Sequence, residues 1–160
     1  MILDLGTGDG RAVLQRASSE PDALVIGVDA SATAMVEASR RALRQRVPNA
    51  MFLAAGVESL ASSPLAASAD LVTVTFPWGS LLRGVLGLDA AALAGVAATL
   101  RPAGDIEVLA SVIPPDGVAG MASLGPDAWP SIRAAWASAG LAWLAPRLAT
   151  RDDVARSGST

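Results

Sequence analysis

Residues 1–11 read Met-Ile-Leu-Asp-Leu-Gly-Thr-Gly-Asp-Gly-Arg. A short apolar strand, Met1–Leu5, runs straight into glycines at positions 6, 8 and 10. Glycine permits a tight turn and lets backbone N–H groups approach a ligand with no Cβ in the way. The spacing is G-x-G-x-G. A dinucleotide fingerprint wants G-x-G-x-x-G, and Arg11 stands where its third glycine would fall. Asp4, just before the turn, would repel a pyrophosphate and attract a cationic amino group. The loop therefore favours a nucleoside ligand with a positively charged tail over one with phosphates.

Outward from this loop, short apolar strands alternate with amphipathic stretches. Arg11–Ser18 reads as a helix and Ala23–Val28 as a second strand, running into Asp29, a carboxylate placed to accept the hydroxyls of a ribose. Ser31 caps a helix running to about Arg46, ended by Pro48 and Asn49. Met51–Ala54 and Leu71–Thr75 are the third and fourth strands, and Asp89 caps a helix through Leu100. Arg101-Pro102-Ala103-Gly104 then turns into a fifth strand, Ile106–Val112. Pro114–Gly117 marks an exposed loop, Pro126–Ala139 a helix stopped by Gly140, and Leu141–Leu148 a sixth strand. Such alternation predicts βαβ units: one α/β domain over residues 1–160, with a mostly parallel sheet covered by helices on both faces. Continuous apolar strands, not alternating ones, fit that burial.

A second informative run, Val74-Thr75-Phe76-Pro77-Trp78-Gly79-Ser80-Leu81-Leu82, follows the fourth strand. Open α/β sheets bind ligands at the carboxyl ends of their strands, and Trp78 offers a flat ring there, suited to stacking on a nucleobase. A tryptophan buried beneath a loop is the commoner arrangement. Cysteine, histidine, lysine and tyrosine are all absent. Disulfides, thiolate nucleophiles, imidazole bases and Schiff bases are thereby excluded, and carboxylates are the conventional proton acceptors left. The net charge of −3 argues against a general nucleic-acid binder. No apolar stretch is long enough to span a bilayer and no signal peptide opens the chain, so a cytoplasmic protein, with neither membrane nor metal as partner, is expected.

In order along the chain, these features resemble the class I S-adenosylmethionine-dependent methyltransferases, a Rossmann-like α/β fold, over nearly its whole length. Ala54-Ala55-Gly56-Val57-Glu58-Ser59-Leu60 lies where that family contacts the adenine of its cofactor. The resemblance is narrower at two places. Thr75–Gly84 and Met35-Val36-Glu37-Ala38-Ser39-Arg40-Arg41-Ala42 are similar to the aminoglycoside-resistance 16S rRNA methyltransferases of the kanamycin–apramycin type. Those enzymes methylate N1 of adenine 1408 in the decoding site of the 30S subunit. The resemblance implies S-adenosyl-L-methionine as cofactor, S-adenosyl-L-homocysteine as product, and a monomer acting on the 30S subunit. It places Asp4, Gly6, Thr7, Gly8, Gly10, Asp29, Ala30, Ala55, Glu58, Thr75, Pro77 and Ser80 against the cofactor. Trp78 would hold the target base, and Arg40, Arg41, Arg44 and Arg83 would meet rRNA.

Arg40, Arg41 and Arg44 share an arc of about 100° on their helix, while Arg46 points away from it. A solvated helix face is the alternative for these three, and pairing with Asp89 the alternative for Arg83. N1 of adenine has an in-plane lone pair and no proton to remove, so the missing bases are no obstacle. The resembled enzymes also have an N-terminal hairpin, a seventh antiparallel strand, and a second tryptophan after a Ser-Thr pair. Since the chain opens in its first strand and ends at Ser159-Thr160, it is expected to be truncated at both ends and to lack the terminal strand. A small-molecule methyltransferase and an inactive ribosome-binding fragment of the same fold remain as alternative readings. Trp129, Trp136 and Trp143 recur every seven residues and are expected to pack in a core or interface; Asp152 and Asp153 are expected to cap the last helical turn.

Overall fold

Leu3 lies between Ile26 and Val72 in neighbouring strands, and Leu5 between Val28 and Val74. These six side chains point to one face and are at most 7% exposed. The computed structural model describes residues 1–112, 118 and 124–157. Its strands are β1 (Ile2–Leu5), β2 (Val25–Asp29), β3 (Ala50–Ala54), β4 (Ala69–Thr75) and β5 (Leu100–Leu109). They form one parallel sheet in the order β3-β2-β1-β4-β5. Six α-helices are described: α1 (Arg11–Ser19), α2 (Ala32–Gln45), α3 (Gly79–Val85), α4 (Ala90–Thr99), α5 (Trp129–Ser138) and α6 (Arg151–Arg156).

Leu82, Leu93, Val96, Ile132 and Trp136 from α3, α4 and α5 pack on the Leu3 face, together with Leu60 from a 3₁₀ helix, Val57–Ser62. On the opposite face Val13 and Ala17 of α1 cover Ile2 and Val25, and Leu14 meets Ala38 and Ala42 of α2. The predicted caps are in place: Ser31 accepts from the Ala34 N–H, and Asp89 from the Ala92 N–H. The connection after β1 crosses one face while that after β4 crosses the other, so the topological switch lies between these two neighbours.

Several expectations need correction. Leu141–Leu148 is not a strand: residues 141–150 have no regular structure, and Leu144 and Leu148 are 89% and 92% exposed. The sheet ends at β5, and a strand without a ladder partner leaves its backbone groups to water. Among the described residues the sheet therefore has five strands, not six. The fifth begins earlier than expected, at Leu100, and stops at Leu109. Residues 101–104 form an excursion inside it: Ala69 pairs with Leu100 and Leu71 with Asp105, with Ala103 at φ +64°. Asp152 and Asp153 do cap the last helical segment as expected, standing in the first turn of α6, where Asp153 completes a capping box with Thr150. Neither α3 nor the 3₁₀ helix was expected. Pro114–Gly117 falls outside the described residues. The tryptophans pack as expected: Trp136 donates its indole N–H to the Val85 carbonyl at 2.8 Å and meets Trp143 edge-on at 5.5 Å, while Trp129 lies partly buried against the same core.

Gly95 supplies a test of this packing. A Cβ there would lie 2.0 Å from the Val57 carbonyl oxygen. In an open helix, glycine-to-alanine exchange stabilises by about 1 kcal/mol. Gly95→Ala is expected to reverse that sign and destabilise by roughly 1–3 kcal/mol, read by urea denaturation, because α4 must shift away from residues 57–58.

Candidate active site

Gly6, Gly8 and Gly10 all have left-handed backbones, at φ +74°, +55° and +70°. The turn is hooked to the second strand: the N–H groups of Gly6 and Thr7 donate to the Val28 carbonyl at 2.8 and 3.2 Å. A Cβ on Gly10 would strike Phe52 and Ala38, at 2.5 and 2.6 Å, so this glycine is required by close packing. Gly8 differs. No atom lies within 4 Å of its virtual Cβ, and its N–H donates to Asp29 Oδ2 at 2.9 Å. The other oxygen of Asp29 accepts from the Ser31 N–H at 2.8 Å. One carboxylate thus joins the loop after β1, the end of β2 and the start of α2, and each of its oxygens retains a lone pair. Thr7 Oγ1 is buried with no hydrogen-bond partner among the described residues.

Asp4 is placed differently from this group. It stands in one cross-strand row with Thr73 and Gly27, on the face covered by α1, and accepts from Thr73 Oγ1 at 2.7 Å. It lines, with Thr75, Arg16, Glu107 and Arg147, an open groove of about 810 Å³ between α1 and residues 144–157. Burial raises its pKa above the ordinary carboxylate value, against the lowering influence of the Thr73 hydroxyl and of Arg16.

Across the switch point, β4 ends at Thr75, half-buried. Phe76 then adopts φ +44°, an uncommon conformation for a bulky residue, with its N–H donating to the Leu109 carbonyl at 2.7 Å. Pro77 is buried, and Trp78 emerges 67% exposed as the N-cap of α3. Gly79 at φ +59° and the exposed Ser80 follow. Beyond β2, Ala30 is exposed; beyond β3, the half-buried Ala55 donates its N–H to the Asp29 carbonyl at 3.0 Å, and Glu58 is exposed. The fold thus gathers Gly6, Thr7, Gly8, Gly10, Asp29, Ala30, Ala55, Glu58 and Thr75–Ser80 at the carboxyl ends of the strands. Phe76 was missed as a site residue. Its visible signal was a bulky residue before Pro-Trp-Gly, which leaves the chain little freedom to turn.

The arginines make no ion pair with this cluster among the described residues. Arg44 on α2 pairs with Glu37 at 2.6 Å, a bond that holds the Glu37 carboxyl below the usual carboxylate range. Arg40 is exposed, Arg41 half-buried, and neither makes an ion pair among the described residues. Arg83, exposed on α3, does not pair with Asp89, whose carboxylate caps α4.

A parallel sheet in this order, with a glycine turn after its first strand and a carboxylate closing its second, defines a Rossmann-like class I methyltransferase fold. The family model described as "NpmA: 16S rRNA (adenine(1408)-N(1))-methyltransferase" matches residues 1–159, and the chain belongs to this family. A curated 16S rRNA (adenine(1408)-N(1))-methyltransferase from Streptoalloteichus hindustanus is 41% identical over 106 residues, or 64% of this chain and 48% of that protein. The matched stretch therefore spans about half of that relative's length. The crystal structure of the aminoglycoside resistance methyltransferase NpmB1 superposes with a TM-score of 0.77 at 38% identity, covering 87% of this chain and 72% of that one. A mutant 16S rRNA (adenine(1408)-N(1))-methyltransferase from Catenulisporales acidiphilia, solved with cosubstrate SAM, gives 0.76 at 32% identity over 87% of this chain and 66% of that one.

The Asp4 placement has a measurable consequence. With the folded pKa above the unfolded one, ionisation costs stability. The cost is absent below the unfolded pKa and grows as pH rises through the folded value. Asp4→Asn keeps an acceptor for Thr73 and removes the charge. Its stability relative to the parent protein is expected to increase as pH rises above the ordinary carboxylate pKa of about 4, read by urea denaturation; a difference independent of pH contradicts the assignment.

Proposed function

We propose that this protein transfers the methyl group of S-adenosyl-L-methionine to N1 of adenine 1408 in the 16S rRNA of the 30S subunit, leaving S-adenosyl-L-homocysteine and conferring aminoglycoside resistance. The observation that carries the reading is Trp78, 67% exposed at the carboxyl end of β4, beside a glycine turn tied to Asp29. Two features support the cofactor: open space beside Gly8 and the spare lone pairs of Asp29. Residues 1–160 act in this reading as one cytoplasmic, monomeric domain.

When bound, the cofactor supplies an electrophilic methyl group on a cationic sulfur. Gly6, Thr7, Gly8 and Gly10 would line its amino-acid portion, whereas Asp4, engaged by Thr73 on the α1 face, would stand outside it. Asp29 would accept from the ribose hydroxyls, while Ala30, Ala55 and Glu58 border the adenine. Thr75, Pro77 and Ser80 would close the pocket on the side of the target. Trp78 would hold the extruded base flat, a task that adenine in a structured RNA requires before its N1 is reachable. No general base is needed, and alignment supplies much of the barrier reduction. Arg40, Arg41 and Arg83 would meet rRNA phosphates, and Arg44 would join them on leaving Glu37, so contact with the RNA should weaken with salt.

Two variants separate the roles. Trp78→Ala is expected to bind S-adenosyl-L-methionine with the parent's affinity in calorimetry, yet to lose incorporation of tritiated methyl groups into 30S subunits; one stacked base is worth roughly 1–3 kcal/mol. Asp29→Ala is expected to weaken cofactor affinity itself. Equal loss of both properties in Trp78→Ala would refute the stacking role. Labelling of small metabolites instead of 30S subunits would overturn the substrate, and binding to subunits without transfer would mark an inactive binding module.

A further inference from the structure

Methyl transfer to a ring nitrogen moves a charge. The N1 lone pair forms the new C–N bond, the C–S bond breaks, and its electron pair stays on a sulfur that becomes neutral. No proton leaves, so the base, neutral beforehand, becomes an N1-methyladeninium cation. A site that carries this reaction gains from any group that holds the cation better than the neutral ring, because interactions that strengthen along the reaction are the ones that accelerate it.

On the target side of the site, the 75–80 loop after β4, one such group is present; the carboxylates stand in the loops after β1, β2 and β3. In the loops at the strand ends, residues 5–11, 29–31, 54–58 and 75–80, the acidic residues are Asp9, Asp29 and Glu58. The one cation is Arg11, which is ion-paired with Asp9 at 2.5 Å. Asp29 already serves two backbone N–H groups. The 75–80 loop has no charged side chain, and the chain has no tyrosine. Trp78 presents its ring there, 67% exposed, with the buried Pro77 before it and open space beside Gly79 behind it. Tryptophan has the most negative aromatic face among the amino acids and attracts a cation lying within about 6 Å of its centroid.

We propose that Trp78 recognises charge as well as shape: its indole face binds the N1-methyladeninium product, and the charge developing toward it, more tightly than neutral adenine. The assignment rests on the rRNA-methylating function proposed above. Simple stacking would treat the two bases alike, since every base offers a π-face. Preference for the cation makes Trp78 a catalytic residue that stabilises positive charge, and it selects ring nitrogens whose methylation leaves a cation.

The test is a binding measurement without cofactor. Affinities of the protein for 30S subunits carrying adenine or N1-methyladenine at position 1408 are compared. Tryptophans of increasing fluorination are placed at position 78 alone; these keep the ring's shape and drain its face of charge. The parent protein is expected to prefer methylated subunits, and the ratio of the two affinities to fall by roughly threefold or more across the series. Equal affinity of the parent for both subunits, or a ratio that ignores fluorination, overturns the proposal. If the parent binds subunits but transfers no methyl group to adenine 1408, the underlying function fails instead, and that result is read separately from transfer with a flat ratio.

Discussion

The carboxylate of Asp29 is the joint on which the site depends. It accepts the N–H of Gly8 on one oxygen and that of Ser31 on the other, and its backbone carbonyl accepts from Ala55. Four segments from three successive strand ends therefore converge on one residue. Charge-assisted bonds of this kind are about twice as strong as neutral ones. They hold the glycine turn in a left-handed path that costs glycine little and would strain any other residue. The space beside Gly8 stays open because the turn is anchored from behind, by Val28, and from the side, by Asp29.

On the other side of the switch point the constraint is steric. Phe76 is held in a left-handed backbone by its bond to Leu109 in the outermost strand. That turn buries Pro77 and delivers Trp78 outward, where its ring packs little against its own chain. An exposed tryptophan gives up burial that a core tryptophan would enjoy, so its position is more readily understood as a surface awaiting a flat partner. In the proposed function the two halves divide the work, with the β1–β2 side to hold the cofactor and the β4 side to hold the base.

Much of this was legible in the residues. Helix caps at Ser31 and Asp89, the glycine turn and the first four strands follow from local rules that need no tertiary context. The strand expected at Leu141–Leu148 fails for the opposite reason: its apolar pattern suits a strand, yet a strand exists only when it pairs with a neighbour, and residues 141–150 pair with none of the described strands. Helix α3 was hidden because a Phe-Pro-Trp-Gly run reads as a loop, whereas Leu81, Leu82 and Val85 beyond it fill the core. Asp4 illustrates a subtler limit. Its place in the sequence brings it to the glycine turn, but alternation along β1 sends its side chain to the α1 face, where Thr73 engages it. The pairing of Arg44 with Glu37 also depends on rotamers that helical periodicity does not specify.

The most direct measurement is primer extension across the decoding site of 30S subunits incubated with the protein and S-adenosyl-L-methionine. A methyl group on N1 blocks Watson–Crick pairing, so the account predicts a new stop at adenine 1408 that appears with the cofactor and is lost in Trp78→Ala. Read-through at that adenine, with the cofactor bound and the subunits intact, would contradict it.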